Sequence, residues 1–151
     1  MLRDPSLIPL SQQHHNGLVL CILTRRALAE DGSPENAAKQ VRRVIDRYEL
    51  ELANHFEIEE QVLFPECGPM PIISELVGEH RAMEALIVRL RAGSLSGGPT
   101  AALLEEFCAL LSQHIRREEN ELFQQVQAVL PREVLDRLGG EIDRRAVRIC
   151  L

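Results

Sequence analysis

The chain has no tryptophan, and its 151 residues include only five aromatics: Tyr48, Phe56, Phe64, Phe107 and Phe123. β-branched residues are also sparse, whereas Leu, Ala, Glu and Arg are plentiful, so helices are favoured over sheet. Lysine is nearly missing: Lys39 stands alone among 17 basic residues. The arginines are scattered among acids, no basic block forms, and the net charge is −6. Nucleic acid is therefore a poor partner. No run approaches the ~18 apolar residues of a membrane span, which argues against a membrane partner. The opening MLRDPSLIPL lacks the apolar stretch of a secretory signal. These features predict a cytoplasmic location. Cys21, Cys67, Cys108 and Cys150 form no C-x-x-C pair. Neither a disulfide framework nor cysteine-held zinc is expected, but buried thiols are. Hydrophobic residues make up 45% of the chain, enough for a core and too many for disorder. One domain spanning 1–151 is expected.

The breakers divide the chain into helical stretches near 10–31, 34–64, 72–92 and 100–130, with a tail helix near 132–147. Gly32 suits a C-terminal cap, Ser33 an N-cap and Pro34 a first helical turn. Three prolines between Pro65 and Pro71 stop the second stretch, and Gly93 to Pro99 reads as a turn. Pro131 interrupts the fourth stretch, and Gly139-Gly140 weakens the tail. Apolar residues recur at 3/4 spacing: Val41, Ile45, Tyr48, Leu52 and Val62; Ile73, Leu76, Met83, Ile87 and Leu90; Leu104, Phe107, Leu111, Leu122 and Val129. Four amphipathic helices joined by short loops predict an all-α fold, an antiparallel up-down four-helix bundle over about 10–130. The tail, 131–151, adds a short C-terminal helix.

The apolar seams are interrupted by residues that are rarely buried without a partner. The segment from His55 to Phe64 repeats as His114 to Phe123, with His, Glu, Glu, Leu and Phe coinciding at an offset of 59. This weak internal repeat predicts approximate two-fold symmetry. In each copy His and Glu stand at i and i+4 on one helix face. Glu59 and Glu118 are rotated ~40° from their histidines, and Glu60 and Glu119 ~140°. The former pair should point inward and the latter be solvated or ion-paired. His80 interrupts the third seam. His14 and His15 flank Leu18 by ~40° and ~60° in the first, so geometry leaves the choice between them open. Repeated imidazoles and carboxylates in a bundle core point to a transition metal, and two bridging carboxylates suit two metals.

The phrases Gln13-His14-His15, His55-Phe56 to Glu59-Glu60 with Leu63-Phe64-Pro65, Glu79-His80, and His114 to Glu118 resemble the hemerythrin-like, or HHE cation-binding, domain. The resemblance covers about 10–130. It implies a non-haem site of two iron ions, oxo- or hydroxo-bridged, held by His15, His55, Glu59, His80, His114 and Glu118. Leu18, three residues beyond His15, favours His15 over His14 on the family pattern. His14, Tyr48, Glu60 and Glu119 are candidate alternative ligands or outer groups that hydrogen-bond a ligand. Oxygen-carrying hemerythrins have a further histidine where this chain has Leu76, so open metal positions are expected and plain oxygen carriage is disfavoured.

The resemblance therefore implies binding or sensing of O2, NO or peroxide, or iron handling. The alternatives are a di-iron enzyme of peroxidase- or oxidase-like activity, and a structural metal-binding bundle in which zinc replaces iron. The expected partner is a small diatomic ligand or peroxide.

Overall fold

The computed structural model describes residues 2–96 and 100–149 and is helical throughout, with no strand among these residues. A short 3-10 turn, Pro5–Leu7, leads into α1, Ile8–Glu30. Asp4 caps the turn by accepting from the Ser6 amide at 3.0 Å. Helix α1 ends at Asp31 in extended backbone. Gly32 is not the left-handed cap expected, for among the described residues only Gly68 has a positive φ, 65°. Ser33 then caps the next rod, its hydroxyl accepting from the Asn36 amide at 3.2 Å, and Pro34 opens it.

That rod, α2, runs over 34–66 and is not uniform. α-Helical Pro34–Arg47 and Ala53–Ile58 alternate with wider π-helical turns, Tyr48–Leu52 and Glu59–Leu63, before a 3-10 end at Phe64–Glu66. Helix α3, Pro71–Ser96, continues past Gly93, where the turn was expected. Residues 97–99 of that expected turn lie outside the described residues. Rod α4 runs over 100–129, α-helical in Thr100–Arg117 and Phe123–Val129 with a π-helical turn at Glu118–Leu122 between them. Helix α5, Arg132–Arg145, follows Pro131, and 146–149 continue without regular structure.

Packing places α4 against α1 and α3, and the first half of α2 against all three. Helix α5 lies on Pro5–Leu7 and on the Glu59–Leu63 turn. It is not interrupted by Gly139-Gly140. At Gly139 a Cβ would come within 2.9 Å of the Ser6 Cα, so glycine is what lets the two segments meet.

Two apolar clusters result. One contains Leu20, Cys21, Val41, Leu52, Phe56, Met83, Leu90, Leu104 and Phe107. The other contains Leu7, Leu10, Ile58, Leu63, Leu76, Phe123, Val126, Leu138 and Ile142. Ile45 and Tyr48 pack only partly on the first. Val129, expected in the fourth seam, is the last residue of its rod and is 65% exposed. Cys21, Cys67 and Cys108 are buried and free; Cys150 lies outside the described residues. No helix among the described residues is long and apolar enough to cross a membrane.

Candidate metal centre

Between the two apolar clusters lies a layer of six buried polar side chains: His14, His55, Glu59, His80, His114 and Glu118, none more than 3% exposed. They come from α1, from the Ala53–Ile58 and Glu59–Leu63 segments of α2, from α3 and from α4. Four donors form each of two groups, His14 and His55 with Glu59 and Glu118, and His80 and His114 with the same two glutamates. Within each group the donor atoms lie within 4.8 Å of one another.

The carboxylates divide evenly between the groups. Glu59 Oε1 is 3.0 Å from His55 Nε2, and its Oε2 is 3.1 Å from His80 Nε2. Glu118 Oε2 is 2.8 Å from His14 Nε2, and its Oε1 is 3.1 Å from His114 Nε2. His55 Nε2, both Glu59 oxygens and Glu118 Oε1 are close to these neighbours without forming a hydrogen bond. His80 Nε2 and His114 Nε2 face each other at 3.2 Å. His14 Nε2 is within hydrogen-bond distance of Glu118 Oε2, and the unpartnered atoms of the cluster converge on shared space.

The other face of every imidazole is held. His14 Nδ1 donates to Glu119 Oε1 at 2.6 Å, and His80 Nδ1 to Glu60 Oε2 at 2.9 Å. His55 Nδ1 donates to Gln13 Oε1 at 2.9 Å, and His114 Nδ1 to Glu79 Oε1 at 3.1 Å. Such outer acceptors fix the tautomer that leaves Nε2 free to bind a cation. The pattern is two-fold. Glu60 and Glu119 follow the shared glutamates of the repeat, and Gln13 and Glu79 each precede the histidine on their own helix. Phe64 stacks on His80 at 5.9 Å and Phe123 on His14 at 5.3 Å, also at the repeat offset.

The π-helical turns account for part of this. Glu59 O accepts from the Phe64 amide and Glu118 O from the Phe123 amide, each five residues on. The wider turn keeps carboxylate and phenyl ring on one face, where a regular helix would rotate them apart.

The charges are mutually compensating. Burial alone would lower the His14 imidazole, but Glu118 and Glu119 outweigh it and raise it to about 9. His114 is raised to about 9 against the same burial penalty, chiefly by Glu118. His55 is raised as well, burial being overcome by Glu59. Burial opposes ionisation of Glu119, yet His14 and Ser11 hold it down to about 2. Glu118 lies well below the usual carboxylate range despite its burial, because His114, His14 and His55 surround it.

The structure brings His55, Glu59, His80, His114 and Glu118 together. It does not bring His15, which is exposed and lines a surface groove. His14 takes that place. Leu18, which favoured His15, is only partly buried, whereas Leu10, Gly17 and Cys21 are buried on the His14 face at helical spacing. Glu60 and Glu119 are ion-paired, with Arg81 and Arg3 respectively, but are not mere flank residues, since each also orients a histidine. Tyr48 is half-buried and edge-on to Phe56 at 6.4 Å. Sequence reasoning missed Gln13 and Glu79 as outer acceptors. Their shared signal is a long polar side chain immediately before a seam histidine.

Residues 7–126 match the family model described as the hemerythrin HHE cation-binding domain. Neither a curated protein nor a solved structure matches the chain. The match spans most of the chain and contains all six buried donors, so the protein belongs to the hemerythrin HHE cation-binding domain family.

Proposed function

We propose that the six buried donors hold two iron ions within an antiparallel four-helix bundle, and that the centre binds or senses O2, NO or peroxide. His14 and His55 would hold one ion, His80 and His114 the other, with Glu59 and Glu118 spanning both. The observation that carries this reading is the set of buried carboxylate oxygens and the imidazole Nε2 with no hydrogen-bond partner. Leaving such atoms unsatisfied costs about 1–3 kcal/mol each, and cations placed between them would remove that cost. Imidazole and carboxylate together suit iron.

Each ion would receive four protein donor atoms, fewer than the six of an octahedral iron site. Leu76, one turn before His80, is fully buried and apolar and supplies no further donor. A bound iron would supply redox and Lewis-acid chemistry at the remaining positions. The protein's own contribution is to aim the four Nε2 atoms, balance charge with Glu59 and Glu118, and exclude water. With every donor at most 3% exposed, the centre suits a diatomic ligand or peroxide better than a bulky substrate.

Elemental analysis of protein produced with ample iron, with its absorption spectrum, tests this. About two irons per chain and near-ultraviolet and visible ferric bands are expected. Stoichiometric zinc, or reproducibly no metal, would refute it.

A further inference from the structure

Three of the four histidines are held by carboxylates seated on other rods: His14 by Glu119, His80 by Glu60 and His114 by Glu79. His55 alone is held by a neutral amide, that of Gln13. Gln13 is 3% exposed, and its amide is fully engaged. Oε1 accepts from His55 Nδ1, while Nε2 donates to Asn54 Oδ1 and to the Val147 carbonyl, both at 3.0 Å. A flipped amide would set its oxygen against those two acceptors, so the outer contacts dictate which end meets His55.

The difference between Gln13 and Glu79 follows from what lies behind each. Arg117 Nη1 donates to Glu79 Oε2 at 2.6 Å, so a carboxylate fits there. Behind Gln13 stand two acceptors, so only an amide can bond both outward and to His55. One of these acceptors belongs to no rod. Val147 lies in the segment 146–149 beyond α5 and is 38% exposed. The segment is tied down through Asn54: the Val147 amide donates to Asn54 Oδ1 at 2.9 Å, and Asn54 Nδ2 donates to the Arg145 carbonyl at 2.9 Å.

We propose that segment 146–149 is a strap that sets how firmly the His14/His55 half holds its metal, acting through the Gln13 amide. Gln13 is thus a positioning residue, and the strap couples an exposed stretch of chain to one of the two metal positions. The other half, backed by Glu60, Glu79 and Arg117 on the rods, is independent of the strap. A partner that lifted the strap would loosen one metal and not the other. The inference rests on the two-metal reading above.

The test uses the full chain. Val147→Pro removes the amide that bonds Asn54, and Val147→Ala keeps it. Ferrous iron is titrated anaerobically against a chromophoric chelator, and exchange of the His55 ring Nδ1 proton is followed by NMR in metal-free protein. Val147→Pro should weaken one of the two equivalents about 10- to 100-fold and speed exchange of the ring proton, as should Gln13→Ala. Val147→Ala should restore both readouts to those of the unaltered chain. An unchanged ring proton in Val147→Pro, or unchanged iron affinity there, overturns the strap. If the unaltered chain takes up fewer than two irons, the two-metal reading fails instead, and the ring proton alone decides the strap.

Discussion

Glu119 accepts from His14 Nδ1 at 2.6 Å, although the two residues stand on different rods and 105 positions apart. The contact joins α4 to α1 directly behind the donor cluster. It is matched by Glu60 and His80, which join α2 to α3. The i+5 glutamates of the repeat thus act on the histidines of the neighbouring helices, while the i+4 glutamates face inward between the two halves.

This division predicts two grades of loss. Glu59→Ala or Glu118→Ala removes a carboxylate common to both donor groups, so both metals should be lost. Glu60→Ala or Glu119→Ala removes only an orienting acceptor, and metal affinity in that half should fall about 10- to 100-fold. Iron titrations of the four variants measure the difference. Equal losses in all four would show that the inner and outer roles are wrongly divided.

His14 and His15 are distinguished by one experiment. His14→Ala should remove a donor of the first half and leave at most one tight metal per chain. His15→Ala should retain both, because His15 is exposed and belongs to neither donor group. Iron content after purification reads the outcome. Full metal in His14→Ala would sink the assignment.

The placement of His15 outside both donor groups shows what the sequence could and could not carry. Helix ends were legible at Ser33-Pro34 and at the prolines after Phe64, because these residues impose local backbone geometry. The His–Glu pairs were legible because i and i+4 share a face in any helix. His14 and His15 were not separable, because they lie one residue apart and the reference point, Leu18, packs only partly into the core. The true marker, Gly17, carries no hydrophobic signal. It is buried because α4 approaches closely, and a Cβ there would lie 3.2 Å from Ile115 Cδ1. The π-helical turns and the Gln13–His55 contact depend on hydrogen bonds and rod-to-rod placement that no linear pattern encodes.

Gly139 and Gly140 should respond oppositely to alanine. Glycine in a helix costs up to about 1 kcal/mol relative to alanine, so both changes gain on propensity. At Gly139 the new Cβ would meet the Ser6 backbone at 2.9 Å, and overpacking of this kind costs about 1–3 kcal/mol. At Gly140 the nearest atom is the end of the Arg144 side chain, at 3.7 Å. Gly139→Ala should therefore lower Tm and Gly140→Ala raise it, by about 2–4 °C per kcal/mol. Thermal melts of metal-free protein check the signs. A stabilised Gly139→Ala would mean that α5 does not sit against Ser6 as described.

The metal-free and metal-loaded forms should diverge as pH rises. In the metal-free protein His14 and His114 are raised from 6.5 to about 9. His14 faces Glu118, Glu119 and Glu59, and His114 faces Glu118, Glu59 and Glu79. A histidine whose folded value exceeds its unfolded one binds its proton more tightly in the native state. Its stabilisation is complete below about 6.5 and disappears as pH climbs through about 9. Glu119 works in the other direction. Lowered from 4.5 to about 2, it stabilises above 4.5 and ceases to do so as pH falls through about 2. Metal-free protein should therefore be most stable between about pH 4.5 and 6.5 and lose Tm from there to pH 9. Metal binding needs the same Nε2 atoms without protons, so iron affinity should rise over that interval. The gap in Tm between iron-loaded and metal-free protein should widen from pH 6.5 to 9, as paired melts across the range would show. A metal-free Tm that stays level or rises over that interval would mean that the histidines are neutral in the folded protein and that the glutamates are balanced by something other than imidazolium.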